Sequence, residues 1–150
     1  MGGRPVGESR RVGMKVLVVE DDPNLRALWG AVFERAGRDA TLVETEAAAR
    51  DALMTRAYDL VLLDLCLGAR DGIGVATFAT YLNPMCKVVV VTGTALYSRR
   101  ELFAMAPAVS AVLRKPVDIE DLVAVCDHVA GGGMQPPERI LSSGTADFRS

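Results

Sequence analysis

Residues 59–65 read Asp-Leu-Val-Leu-Leu-Asp-Leu, four apolar residues closed on either side by an aspartate. Continuous rather than alternating hydrophobicity predicts a strand buried on both faces, as in the middle of a parallel sheet. Its far end carries Asp64, a carboxylate for which a buried strand has no packing use. Working outward, Lys15 to Val19 and Lys87 to Thr92 repeat the apolar pattern, while Thr41 to Val43 and Val109 to Leu113 are shorter strands of the same kind.

Helical patterns fill the gaps. Asp22 is placed to cap a helix with Pro23 at its first position; Leu25, Leu28, Val32 and Ala36 recur along it until Gly37 stops it. Thr45 caps an alanine-rich helix running to about Ala57. Gly68, Asp71 and Gly72 read as a loop before a helix near Val75 to Leu82, which Pro84 closes off. A fourth helix is expected over Ser98 to Ala106, and Asp118 caps a last one to about Ala130. Five strands alternating with five helices predict a doubly wound α/β domain with a mostly parallel sheet. The folded part is read as residues 14–130, with a flexible N-terminal tail (1–13) and a Gly- and Pro-containing tail or linker stub (131–150).

Composition narrows the function. The 150 residues are 50% apolar and carry 17 basic against 19 acidic side chains, a net charge of −2. Such a chain can bury a core, and it lacks the basic excess that drives sequence-independent binding to a phosphate backbone. Direct nucleic-acid binding is not expected. Cys66, Cys86 and Cys126 are far apart and His128 is the single histidine, which argues against a disulfide framework or a Cys/His zinc site. No apolar run approaches the roughly 18 residues of a membrane span, so a cytoplasmic protein without membrane insertion is expected.

In doubly wound folds, function gathers at the carboxyl ends of the strands. There the first strand is followed by Glu20, Asp21 and Asp22; the third ends in Asp64, the fourth in Thr92, and the fifth is followed by Lys115 and Pro116. Clustered carboxylates raise one another's pKa unless a cation sits among them, and hard oxygen ligands on short loops suit Mg²⁺. Glu20, Asp21 and Asp64 are therefore the candidate metal site. A carboxylate can also attack phosphorus to form an acyl phosphate. Asp64, alone at the end of the central strand, is the choice for that nucleophile, with Lys115 supplying positive charge and the Thr92 hydroxyl a hydrogen bond to a phosphoryl oxygen.

Those residues, in that order, resemble the receiver domain of two-component response regulators over roughly residues 15–130. The resemblance implies a flavodoxin-like, CheY-like fold of three α/β/α layers, strand order 2-1-3-4-5. It implies phosphotransfer to Asp64 from a sensor histidine kinase or histidine phosphotransfer protein, followed by altered affinity for a downstream partner. It further implies Mg²⁺ held by Asp21, Asp64 and the backbone carbonyl of Cys66, with Glu20 acting through water. Thr92 would move toward the phosphoryl group, and Pro116 is the candidate for a cis bond after the lysine. A phosphorylation-dependent homodimer is compatible with the family.

Three departures stand out. Gly68 replaces a common proline four residues after the acceptor. Val112 replaces the aromatic switch residue three before the lysine, so a rotating ring there cannot carry the output. About twenty residues follow the last helix, which reads as a stand-alone receiver or the front of a longer protein.

Other readings compete. An aspartyl-nucleophile phosphatase would place a second acid two residues after Asp64, where Cys66 stands. A phosphorylation-independent pseudo-receiver would be expected to have lost a member of the acid, hydroxyl and lysine set. The expectation is therefore a phosphoacceptor whose only catalysis is its own phosphorylation and dephosphorylation. Asp22 is read as a helix cap rather than a ligand, Phe33 as core and Trp29 as core or docking face.

Overall fold

The structure is a computed structural model that describes residues 13–65, 70–93, 108–131 and 146–148. Strands β1 (Lys15–Val19), β2 (Asp39–Val43), β3 (Leu60–Asp64), β4 (Lys87–Thr92) and β5 (Val109–Arg114) pair in parallel in the order β2-β1-β3-β4-β5. The expected doubly wound sheet is thus present, with β3 central and buried at all five positions.

Helices α1 (Pro23–Arg35) and α4 (Ile119–Ala130) cover one face; α2 (Glu46–Thr55) and α3 (Arg70–Leu82) cover the other. The pleat of β3 divides its side chains between two cores: Leu60 and Leu62 pack with Trp29, Phe33, Leu122 and Val125, while Val61 and Leu63 pack with Ala49, Leu53, Val75 and Ala79. Trp29 and Phe33 are both core residues, 3% and 1% exposed. Val112 is buried on the α2/α3 side.

Several boundaries differ from the sequence reading. β2 begins at Asp39 rather than Thr41 because its register is set by β1, with Lys15 opposite Asp39. α3 begins at Arg70, not near Val75, and takes in Gly72, read as loop, together with Gly74. Gly74 has a packing reason: a Cβ there would lie 2.9 Å from Arg50 Nη2, so the missing side chain lets Arg50 cross from α2, where its guanidinium lies 5.0 Å from the centre of the Phe78 ring. Within the segment read as a C-terminal tail, β6 (Ala146–Phe148) pairs antiparallel with β5, Asp147 opposite Val112. The helix expected over Ser98 to Ala106 lies outside the described residues. Among the described residues, no helix is long and apolar enough to cross a membrane.

Candidate functional site

The parallel order brings the ends of β1, β3, β4 and β5 to one edge, and short connections fix what stands there. After Val19 the chain turns at once into α1. Asp22 makes that turn by accepting from the backbone N–H groups of Asn24 (2.9 Å) and Leu25 (3.3 Å), so its carboxylate caps the helix and is not one of the clustered acids. Arg26, one turn into α1, reaches back to donate from Nη1 to the carbonyls of Glu20 (3.0 Å) and Asp21 (3.4 Å), while its Nη2 lies 3.5 Å from Glu44. Sequence reasoning passed over Arg26; its place four residues after the cap, facing back over the turn, was the available signal.

Glu20 and Asp64 are 1% and 0% exposed, and Asp21 is exposed. One carboxylate oxygen from each of the three lies within 4.8 Å of those of the other two. Lys115, just past the end of β5, places Nζ 3.0 Å from Asp64 Oδ2. Thr92 is buried one residue beyond Val91, the partner of Asp64 in the β3–β4 ladder, and its carbonyl accepts from the Lys115 N–H at 2.9 Å. The Lys115–Pro116 peptide is cis. Cys66, whose carbonyl the resemblance assigns to the metal, and Gly68 lie outside the described residues.

Charge is the outstanding feature of this edge. Among the described residues three carboxylates meet here, Lys115 is paired with Asp64, and two of the three acids are buried. Glu20 Oε2 accepts from the Asp22 N–H at 3.0 Å, but its buried Oε1 has no partner. Burial, and next the side-chain contact with Asp64, push the Glu20 carboxyl up from an ordinary 4.5 to about 8, against the opposing pull of the Asp22 N–H and Lys115. Two neighbouring buried carboxylates disfavour each other's charge, and burial favours the protonated form of Glu20 when no cation sits between them. A divalent cation would remove the need for that proton. The donors are all hard oxygens and the orphaned Oε1 supplies a free ligand atom, so the residues fit Mg²⁺.

The pattern of the response regulator receiver domain family matches residues 16–127. The chain is 32% identical over 109 residues to the response regulator receiver protein CpdR of Brucella abortus (strain 2308), covering 73% of this chain and 90% of CpdR. It is 28% identical over 138 residues to the DNA-binding transcriptional regulator NtrC of Klebsiella pneumoniae, matching 87% of this chain but only 28% of NtrC. Among solved structures, it is similar to the receiver domain of the sensor histidine kinase PA1611 from Pseudomonas aeruginosa PAO1, which has a magnesium ion coordinated in its active-site cleft. That likeness has a TM-score of 0.69 at 25% identity and covers 79% of this chain and 98% of the other.

Proposed function

Because this chain belongs to the response regulator receiver domains of two-component signalling, we propose that Asp64 accepts a phosphoryl group, in the cytoplasm, from the phosphohistidine of a sensor histidine kinase or phosphotransfer protein, and that the modification changes affinity for a downstream partner. The observation that supports this most is the buried Asp64 carboxylate held 3.0 Å from Lys115 Nζ. A carboxylate excluded from water and aimed by a cation is prepared for attack rather than for stability.

In the transfer, an Asp64 oxygen bonds to phosphorus as the phosphorus–nitrogen bond breaks, and the bonding pair returns to the imidazole nitrogen of the donor. Glu20, Asp21 and Asp64 are the side chains that would hold Mg²⁺, which when bound offsets charge on the phosphoryl oxygens. Lys115 neutralises the carboxylate before transfer and follows the phosphoryl charge after it. The Thr92 hydroxyl donates to a phosphoryl oxygen. No separate substrate is turned over, so the protein is a phosphoacceptor and not an enzyme in the ordinary sense. With valine at 112 the response does not pass through rotation of an aromatic ring there.

The test is intact mass after incubation with acetyl phosphate and Mg²⁺, with and without chelator. The native chain gains one phosphoryl group only when metal is present, and Asp64→Asn gains none. Equal labelling of the variant would move the acceptor elsewhere, and no labelling of the native chain by either acetyl phosphate or a phosphohistidine donor would remove the proposal.

A further inference from the structure

Arg26 closes the first turn of α1, where a cation works against the helix dipole. Its ion pair does not explain the position. Arg26 Nη2 lies 3.5 Å from Glu44, whose side chain is 64% exposed, and a pair so open to water contributes little. The firmer contacts are to backbone: Nη1 donates to the carbonyls of Glu20 at 3.0 Å and of Asp21 at 3.4 Å, from a side chain only 20% exposed. Helical side chains lean toward the N-terminus, so this backward reach over the turn needs no unusual conformation.

Those two carbonyls belong to the peptide units on either side of Asp21, both of them trans. A trans peptide is planar with its C=O and N–H on opposite sides, so a carbonyl held in place also aims the N–H of the next residue. Holding the Asp21 carbonyl therefore aims the Asp22 N–H, which donates to Glu20 Oε2 at 3.0 Å. At Glu20 itself the N–H donates to the Val43 carbonyl at 3.0 Å, so with its own carbonyl held by Arg26 that residue is fixed on both sides. Once the two planes flanking Asp21 are set, the direction of its Cα–Cβ bond is set as well. Asp21 is exposed, so backbone rather than packing chooses that direction.

We propose that Arg26 is a positioning residue for the cation site: by holding the peptide planes on both sides of Asp21, it keeps the carboxylates of Glu20 and Asp21 directed at Asp64. This rests on the reading of those three acids as the ligands of Mg²⁺. Arg26 touches none of their carboxylates in the contacts it makes to Glu20 and Asp21; it acts through the main chain. Charge and position then predict opposite signs. A positive charge beside a cation site repels Mg²⁺, so its removal by charge alone would tighten binding, whereas loss of the held backbone loosens it.

The experiment titrates the full chain with Mg²⁺ and follows the backbone amide resonances of residues 20–22 and 64. Arg26→Met, of similar length but without charge or donors, should bind Mg²⁺ about tenfold more weakly than the native chain, the loss that removing a group behind a metal ligand commonly causes. Arg26→Lys keeps the charge on a side chain one bond shorter; its affinity should fall between the two, and it carries the test should the Met variant fail to fold. A second readout needs no metal. In chelator, hydrogen exchange at the Asp22 N–H should speed up in Arg26→Met while that of Phe33, farther along α1, keeps its native rate. Affinity at or above the native level in either variant would overturn the proposal, and so would unchanged exchange at Asp22. A native chain that binds no Mg²⁺ would remove the cation site and this inference with it, whereas native binding with an unaffected variant would remove the inference alone.

Discussion

The carboxyl and amino edges of this sheet are made by the same alternation of strand and helix, yet they hold polar groups of opposite kinds. At the carboxyl edge, Glu20, Asp64 and Thr92 are buried, and two of them are acids in contact. At the amino edge, turns close through neutral or accessible groups: Asn83 bridges Tyr58 and Met85, and the Lys15 N–H donates to Asp59 at 2.8 Å. Burying a charge costs several kcal/mol unless it is well paired, whereas a side chain that satisfies a turn stabilises it. The first edge therefore spends stability to hold a reactive arrangement, and the second recovers some. The helix caps reinforce the division. Asp22, Thr45 and Asp118 all sit at the carboxyl edge, so the N-termini of α1, α2 and α4 point their positive ends toward the acids.

The largest expected effect tests the cost at the carboxyl edge. In the folded protein the Glu20 carboxyl stays protonated up to about pH 8, and in the unfolded chain it loses its proton near 4.5. Between those values the folded state binds more protons, so stability falls as pH rises, by roughly 4–5 kcal/mol across the window, and levels off above it. Urea midpoints measured from pH 5 to pH 9 in chelator read this directly. Glu20→Gln should remove most of the slope. Saturating Mg²⁺ should flatten it, because a cation favours the ionised acid and binds only the folded site. A native profile that rises through this range would mean that Glu20 is already ionised and that the two edges do not differ as described.

The amino edge should answer in the opposite sense. Asn83→Ala leaves the Tyr58 carbonyl and the Met85 N–H without their side-chain partner and should cost about 1–2 kcal/mol, with phosphorylation from acetyl phosphate unchanged. If that substitution slowed labelling of Asp64, the separation of structural and reactive edges would fail.

Much of this division could be read from the sequence. The bounds of β1 and β4 follow from apolar runs alone, and the residues of the acid cluster were visible as strand-end positions before any distance was known. What could not be read depends on contacts distant in the chain. The start of β2 is set by pairing with Lys15, the place of Gly74 inside α3 is matched by Arg50 lying over it, and β6 pairs with an edge that only the assembled sheet presents. The same is true of Glu20. Its type and position announced a metal ligand, but its protonation comes from burial and from Asp64, 44 residues away in sequence.

The smallest effect isolates backbone from side chain at the amino edge. Gly37 closes the turn between α1 and β2 with φ +83°, and a Cβ added there would meet nothing within 4 Å. Gly37→Ala therefore introduces no clash, and its cost is that of holding an L-residue in the left-handed region, about 1 kcal/mol. Gly37→Asn should recover part of that loss, because asparagine tolerates this conformation better. Both variants should keep the pH slope of the native chain, since neither touches Glu20 or Asp64. If the Asn and Ala variants were equally destabilised, the penalty would come from packing rather than from φ, and the open space around Gly37 would have to be filled by another part of the chain in solution.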